Sequence, residues 1–235
     1  MRIVCSIDES TAARDAAEIA GQLAHRMRAE LVYVHSVTGE SSERLGARSH
    51  RRCDLLIVGY TPRARSASAL LGEAHRRLVR DAACPVMLVP AGARLRAGTG
   101  IVLGYNLPSI SSAAAVAAGR LAAALDSLLV VAHVEAAGAP GRATGGQLHD
   151  GGRRLTEEAV AAAGRKLEVE HVERTGGPSE QLAVLAAGHE AAVIVIGSAR
   201  TGWRSLLSRS VATRLQNHAR HPVLVVLRRA GLLAG

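Results

Sequence analysis

An internal repeat with unequal halves constrains the fold of this 235-residue chain more than any other feature. The first aliphatic run, RIVCSI, leads into Asp8, and a similar run, IVLGY, leads into Asn106. A second aliphatic run ends at His35 in the first copy and at His133 in the second, with the same separation between the copies. Matching segments in the same order indicate one structural unit used twice.

Two later matches show that the copies differ in length. The run LLIVG ends at Gly59 and VIVIG ends at Gly197, while a Pro-Val pair follows both Cys84 and His221. These pairs lie about 40 residues further apart than the early ones, which is about the length of a strand and a helix with their loops. The first half, 1–92, therefore lacks one strand–helix unit that the second half, 99–229, retains.

Short aliphatic runs alternate with Ala-rich segments of helical length along both halves. Aromatic residues make up only 2% of the chain and Phe is absent, so the core must be aliphatic, as in parallel strands that are buried on both faces. This pattern predicts an α/β fold with two open, mostly parallel sheets in tandem. The predicted strands are 2–7, 31–37, 54–58, 86–89, 101–105, 128–134, 167–172, 193–196 and 223–227. The predicted helices are 11–27, 41–50, 68–82, 109–124, 154–163, 178–189 and 205–219, with a mobile Gly-rich loop at 138–152.

The net charge is +9, carried almost entirely by arginine. A basic chain can bind nucleic acid, and Arg76, Arg77 and Arg80 on one predicted helix form the best cluster for that purpose. Elsewhere the arginines are scattered and are not interleaved with aromatic residues, so we interpret the charge as compositional and nucleic-acid binding as the less favoured alternative.

The three cysteines are widely spaced and form no CxxC motif. This pattern predicts neither a disulfide nor a zinc site, and it favours buried thiols at Cys53 and Cys84. The histidines lack metal-ligand spacing, and the His149–Asp150 pair falls in the predicted mobile loop. We find no secretory segment and no apolar run long enough to span a membrane, so the sequence predicts a cytoplasmic protein without a membrane partner.

The repeat unit resembles the universal stress protein family. The resemblance rests on the strand-Asp start at Asp8, the glycine ending the fourth strand at Gly59 and Gly197, and the Pro-Val entry to the last strand. It implies a Rossmann-like fold of the adenine nucleotide α-hydrolase type, with ATP as the candidate cofactor at the carboxyl ends of the strands. It also implies that the last strands, 86–89 and 223–227, pair within one chain as a pseudo-dimer. Two such chains could associate further into a homodimer.

The nucleotide loop that the resemblance implies is damaged in the first half. Asp8, Gly59 and Gly72 match family positions, but Pro62 replaces the second loop glycine and removes an amide donor. Glu73 stands where the family has a hydroxyl residue, and a carboxylate would repel phosphate. The first half thus keeps the acid for the adenosine end and lacks a phosphate cradle.

The second half is damaged differently. Asn106 replaces the acid, the loop is one residue short, and Arg209 stands where the last glycine belongs. Arginine could instead hold an anion by charge, although a solvated loop arginine is the simpler interpretation. The candidate contacts of this half are Asn106, Val134, Gly197, Gly202, Arg209, Ser210 and Val211.

An intact architecture with damaged loops predicts a non-catalytic stress-response or regulatory protein with weak or absent adenine-nucleotide binding. The alternative is an ATP-binding switch or slow ATPase that uses the second half, because that half carries the complete set of strands and keeps Ser210.

Overall fold

The computed structural model describes residues 1–35, 53–61, 82–105, 108–135, 145–198, 211, 214–215 and 220–227, and only the backbone of 108–110 and 145–149. Within these ranges the chain forms nine strands and four extended helices. The strands are β1 (Arg2–Ile7), β2 (Glu30–His35), β3 (Leu55–Tyr60), β4 (Val86–Pro90), β5 (Gly100–Tyr105), β6 (Leu128–Glu135), β7 (Val169–Thr175), β8 (Val193–Ser198) and β9 (Val223–Leu227). The helices are α1 (Thr11–Met27), α2 (Pro108–Leu125), α3 (Gly145–Ala163) and α4 (Pro178–Gly188).

All nine strands belong to one sheet with the order β2-β1-β3-β4-β9-β8-β5-β6-β7. Neighbouring strands are parallel except β4 and β9, which pair antiparallel with Val86 opposite Val225 and Leu88 opposite Val223. The α/β class and the mostly parallel sheet are therefore confirmed. The pairing of β4 with β9 joins strands from the two halves; that the halves are tandem domains forming a pseudo-dimer stays a prediction.

Aliphatic side chains fill the layers on both faces of the sheet. On one face the strands pack against α1 and α2 through residues such as Ile19, Leu23 and Leu121. On the other face α4 contributes Leu182 and Leu185. Every residue of strands β3, β5 and β9 is buried. This is the reason that their sequences are continuously apolar instead of alternating.

Helix α1 begins where the sequence predicts, because its N-terminus is capped locally. The Ser10 hydroxyl accepts a hydrogen bond from the Ala13 N–H at 3.1 Å, and the Asp8 carboxylate accepts one from the Ser10 N–H at 2.9 Å. Both bonds satisfy backbone donors that helix formation leaves without partners. The helix ends at Arg28, whose φ of 51° is left-handed.

The predicted Gly-rich loop over 138–152 is wrong in its second part, because α3 begins at Gly145. The His149–Asp150 pair consequently lies on a helix. Glycine is a poor helix former, but tertiary packing overrides propensity here. A Cβ at Gly152 would lie 2.9 Å from the Tyr105 hydroxyl and 3.1 Å from His171 Nδ1, so glycine at this position lets the helix lie close to β5 and β7 without displacing these side chains.

The prediction of buried thiols at Cys53 and Cys84 is also wrong, because the two residues form a disulfide. Strands β3 and β4 are parallel neighbours with Leu56 opposite Val86, so the residues just before each strand meet at the same edge of the sheet. The two Cα atoms are 6.1 Å apart, within the usual range for a disulfide. Cys5 is a buried free thiol.

Several predicted features lie outside the described residues. They are the helices at 41–50 and 68–82, most of the helix at 205–219, and the arginine cluster at Arg76, Arg77 and Arg80. In the part of the chain that the structure describes, no helix combines the length and the apolar character needed to cross a membrane.

Candidate functional site

The order of the strands creates a cleft in the second half. From β5 the chain proceeds to β6 on one side and later to β8 on the other, so the connections diverge at the carboxyl ends of β5 and β8. Open parallel sheets bind ligands at such a switch point. A cleft of about 100 Å³ lies there. It is lined by Gly104, Tyr105, Ser111, Ala132, Val134, Pro178, Leu182, Ile196, Gly197 and Val211.

Small residues form the strand side of the cleft. Gly104 on β5 lies between Ala132 on β6 and Ile196 on β8 in the parallel register. Leu182 of α4 covers this point, since a Cβ at position 104 would be 2.7 Å from Leu182 Cδ1. The absence of a side chain at Gly104 therefore makes room for Leu182, which limits the depth of the cleft.

Two hydroxyl groups belong to the lining. Ser111 in the first turns of α2 is only 2% exposed, and Tyr105 at the end of β5 is 9% exposed. Burial, together with the charge of Glu173, raises the pKa of Tyr105, and the hydroxyl lies close to Gly152 of α3. The ring of Tyr105 packs against His133 with centroids 5.2 Å apart. His133 is thus a packing partner of a cleft residue, close to the end of β6.

Three of the predicted contacts of the second half meet in this cleft: Val134 at the end of β6, Gly197 in β8, and Val211 in a helical segment. Asn106, Gly202, Arg209 and Ser210 lie outside the described residues. The structure therefore places the apolar part of the predicted site in one cleft.

In the first half, helix α1 lies against the glycine that is equivalent to Gly197. Strands β1 and β3 are adjacent, so Asp8 and Gly59 lie at neighbouring strand ends. A Cβ at Gly59 would overlap the Ala12 carbonyl and lie 2.8 Å from the Ala13 nitrogen. Helix α1 thus rests directly on Gly59, and Asp8 takes part in the turn that leads into that helix. Gly72 lies outside the described residues.

Comparison with known proteins decides the family. The model of the universal stress protein family matches residues 100–226, which is more than half of the chain. The chain belongs to the universal stress protein family. No curated protein sequence shows significant similarity to it.

Solved structures similar to this universal stress protein family member include other proteins of that description. One is a universal stress protein from Archaeoglobus fulgidus DSM 4304, with 13% identity, a TM-score of 0.68, and coverage of 98% of this chain and 97% of the other. Another is a candidate universal stress protein from Pseudomonas aeruginosa UCBPP-PA14, with 19% identity, a TM-score of 0.55, and coverage of 95% and 81%. A third, from Arabidopsis thaliana with AMP bound, has 20% identity, a TM-score of 0.38, and coverage of 56% and 93%.

Sequence reasoning missed most of the lining of the cleft in this universal stress protein family member. Tyr105, Ser111, Pro178 and Leu182 were assigned only to strands or helices, because buried residues that pack a core and residues that line an apolar cleft look alike in sequence. One signal was present: the predicted crossover helix that starts at Pro178 had to cover the strands that carry Gly104 and Gly197.

Proposed function

We propose that this universal stress protein family member is a non-catalytic stress-response regulator, and that its second half binds adenine nucleotides weakly. The observation that carries the proposal is the cleft at the carboxyl ends of β5 and β8. Its lining of small and aliphatic residues suits a planar base, and Ser111 adds a polar residue to that lining. The AMP bound to the Arabidopsis relative is consistent with this ligand class.

The size of the cleft argues for weak binding. Its volume of about 100 Å³ is below the roughly 300–1,000 Å³ of typical small-molecule sites. Leu182 lies over Gly104 and restricts the space further. A cleft of this size can enclose only part of a nucleotide, and we expect a dissociation constant on the order of 0.1–1 mM.

The first half is proposed as a structural partner without a nucleotide site. Helix α1 covers Gly59, the glycine that the phosphate end would need. Asp8, the acid expected at the adenosine end, hydrogen-bonds to Ser10 at the start of the same helix. Both residues thus contribute to the packing and start of α1.

The chemistry of the described lining supports a non-catalytic role. Among the described residues around the cleft, no carboxylate, histidine or basic side chain is present. General acid–base catalysis is most efficient with a group whose pKa lies near the working pH, and burial raises the pKa of Tyr105 away from it.

Calorimetric titration of nucleotide-free protein with ATP and with AMP tests the proposal. We expect weak binding of one equivalent and no ATP hydrolysis above background. Ala132→Val adds two methyl groups at the strand side of the cleft and should weaken binding about tenfold or more. Valine fits this place in the fold, because the repeat has Val34 at the equivalent position of β2.

Ala187→Val serves as the matched control, because it makes the same change on an exposed part of α4. It should leave the affinity unchanged. Micromolar affinity, equal affinity in wild type and Ala132→Val, or hydrolysis that depends on the second half would contradict the proposal, and hydrolysis would favour the ATPase alternative.

We also propose that the halves are tandem domains paired through β4 and β9 in a cytoplasmic protein. The antiparallel pairing of Val86 with Val225 supports this arrangement. A fragment comprising 99–229 would leave the edge of β9 without its neighbour and should self-associate, as light scattering after size exclusion would show. A fragment that folds and stays monomeric would count against the pairing.

A further inference from the structure

The Cys53–Cys84 disulfide lies at the edge of the sheet opposite the cleft. Cys53 comes two residues before β3, and Cys84 comes two residues before β4. Both therefore lie at the amino ends of parallel strands, whereas the cleft is at the carboxyl ends. Cys84 is only 2% exposed, while Cys53 is partly exposed, so the two cysteines differ in their exposure to solvent.

The second half has no counterpart of this cross-link. The repeat places Ala191 at the position of Cys53 and His221 at the position of Cys84. The two halves also differ at their outer strands. In the second half β6 has β7 as an outer neighbour, whereas its counterpart β2 in the first half is the edge strand of the sheet. A covalent link is thus present only in the half with fewer strands, and it connects the two strands that lead to the junction with β9.

We propose that the Cys53–Cys84 pair is a reversible thiol–disulfide exchange site that reacts with small thiols, and that its state sets the stability of the first half separately from the second. A disulfide stabilises a fold mainly by restricting the unfolded chain. The two cysteines are 31 positions apart in the first half and precede β3 and β4. Loss of the link should therefore destabilise these two strands. This inference rests on the proposed cytoplasmic location, where a thiol pool reaches the protein and the few disulfides present are usually redox-responsive.

The exchange begins at the more exposed cysteine. A small thiolate attacks Cys53 Sγ, a mixed disulfide forms, and Cys84 leaves as a thiolate that takes up a proton. A second small thiol then attacks the mixed disulfide and releases the Cys53 thiol. Two small thiols are oxidised to one disulfide, and the protein disulfide gains two electrons and two protons. The reverse reaction with the small-molecule disulfide restores the link.

Cys5 does not compete in this reaction. It is fully buried, and burial raises the pKa of its thiol to about 12. The reactive thiolate is therefore disfavoured at Cys5, which leaves the cross-linked pair as the exchange site.

Equilibration of the full chain with mixtures of reduced and oxidised glutathione tests the proposal. Mass spectrometry after thiol blocking should show Cys53 and Cys84 moving together between the two states, with the transient glutathione adduct on Cys53. Hydrogen exchange in 55–60 and 86–90 should become about tenfold faster or more on reduction, while exchange in 100–105 and 193–198 stays the same. The midpoint of thermal unfolding should fall by about 6–12 °C.

The double variant Cys53→Ser with Cys84→Ser is the control, and its unfolding midpoint should not respond to glutathione. The wild-type comparison stands even if this variant folds poorly, because it needs only a change of redox state. A pair that stays in one state across all glutathione mixtures, an adduct on Cys84 alone, or equal acceleration of exchange in both halves would overturn the proposal. None of these readouts depends on nucleotide binding.

Discussion

The carbonyl group of Ala12 on α1 occupies the position that a side chain at Gly59 on β3 would need. The sequence suggested that Gly59 allows phosphate to approach the backbone. The structure instead gives this glycine a packing role, because the first turn of α1 lies directly on the strand. The equivalent glycine of the second half, Gly197, belongs to the lining of the cleft.

Gly59→Ala should therefore destabilise the protein. The added methyl group overlaps backbone atoms that cannot move aside as a flexible side chain would, and overpacking of this kind costs about 1–3 kcal/mol or more. Gly21→Ala on α1 is the matched control, since a Cβ there meets nothing within 4 Å. It should raise the free energy of unfolding by about 0.5–1 kcal/mol. Urea unfolding of both variants measures the difference, and a neutral Gly59→Ala would contradict the packing role.

Asp15 connects α1 with the segment that follows β4. Its side chain, which is almost fully buried, accepts hydrogen bonds from the Gly92 N–H at 2.7 Å and from Arg94 Nη1 at 2.5 Å. Asp15→Ala removes both bonds and should lower the free energy of unfolding by about 1–3 kcal/mol. Glu18→Ala, on the exposed side of the same helix, should change it by less than about 0.5 kcal/mol. Equal losses in the two variants would show that the contact contributes nothing specific.

His221 should make the stability depend on pH. Burial lowers its pKa from the ordinary value of 6.5, so below that value the unfolded chain binds a proton that the folded protein does not. The free energy of unfolding should therefore decrease as the pH is lowered from about 7.5 to about 5.5. His221→Gln should reduce this slope, while His25→Gln on the exposed side of α1 should not. Thermal unfolding at several pH values measures both slopes, and identical slopes would rule out a contribution from His221.

Local patterns were sufficient for most of the fold. Helix α1 agrees with the prediction over 11–27, because the spacing of Ile19 and Leu23 marks one buried face and Ser10 caps the start. The start of α3 could not be predicted, because the sequence does not show that Tyr105 packs against position 152 and favours a small residue there. The disulfide was missed for a related reason: the spacing of the cysteines does not show which strands become neighbours.

The candidate site was predictable only where a motif marked it. Gly197 could be found because it ends an aliphatic run at a repeated position, and Val134 because it ends the second strand of its half. Ser111 and Leu182 come from helices whose position over the sheet follows from the topology and not from any local pattern. The repeat likewise could not reveal that α1 covers Gly59, because both halves show a glycine there.

The side chain of Leu182 limits the depth of the cleft. Truncating it should affect protein stability and ligand affinity in opposite directions. Leu182→Ala should lower the free energy of unfolding by about 2–5 kcal/mol, because it leaves a cavity over Gly104. That cavity adds to the space available for a base, so affinity for AMP should increase. This expectation depends on the proposed nucleotide site.

Leu185→Ala provides the matched control. Leu185 is buried on the same helix at 5% exposure but does not belong to the lining of the cleft. It should show a similar loss of stability without any gain in affinity. Urea unfolding and calorimetric titration of both variants check the pair of effects. If both variants bind AMP as the wild type does, Leu182 does not limit the site; if both gain affinity equally, the gain reflects general loosening of the helix and not the shape of the cleft.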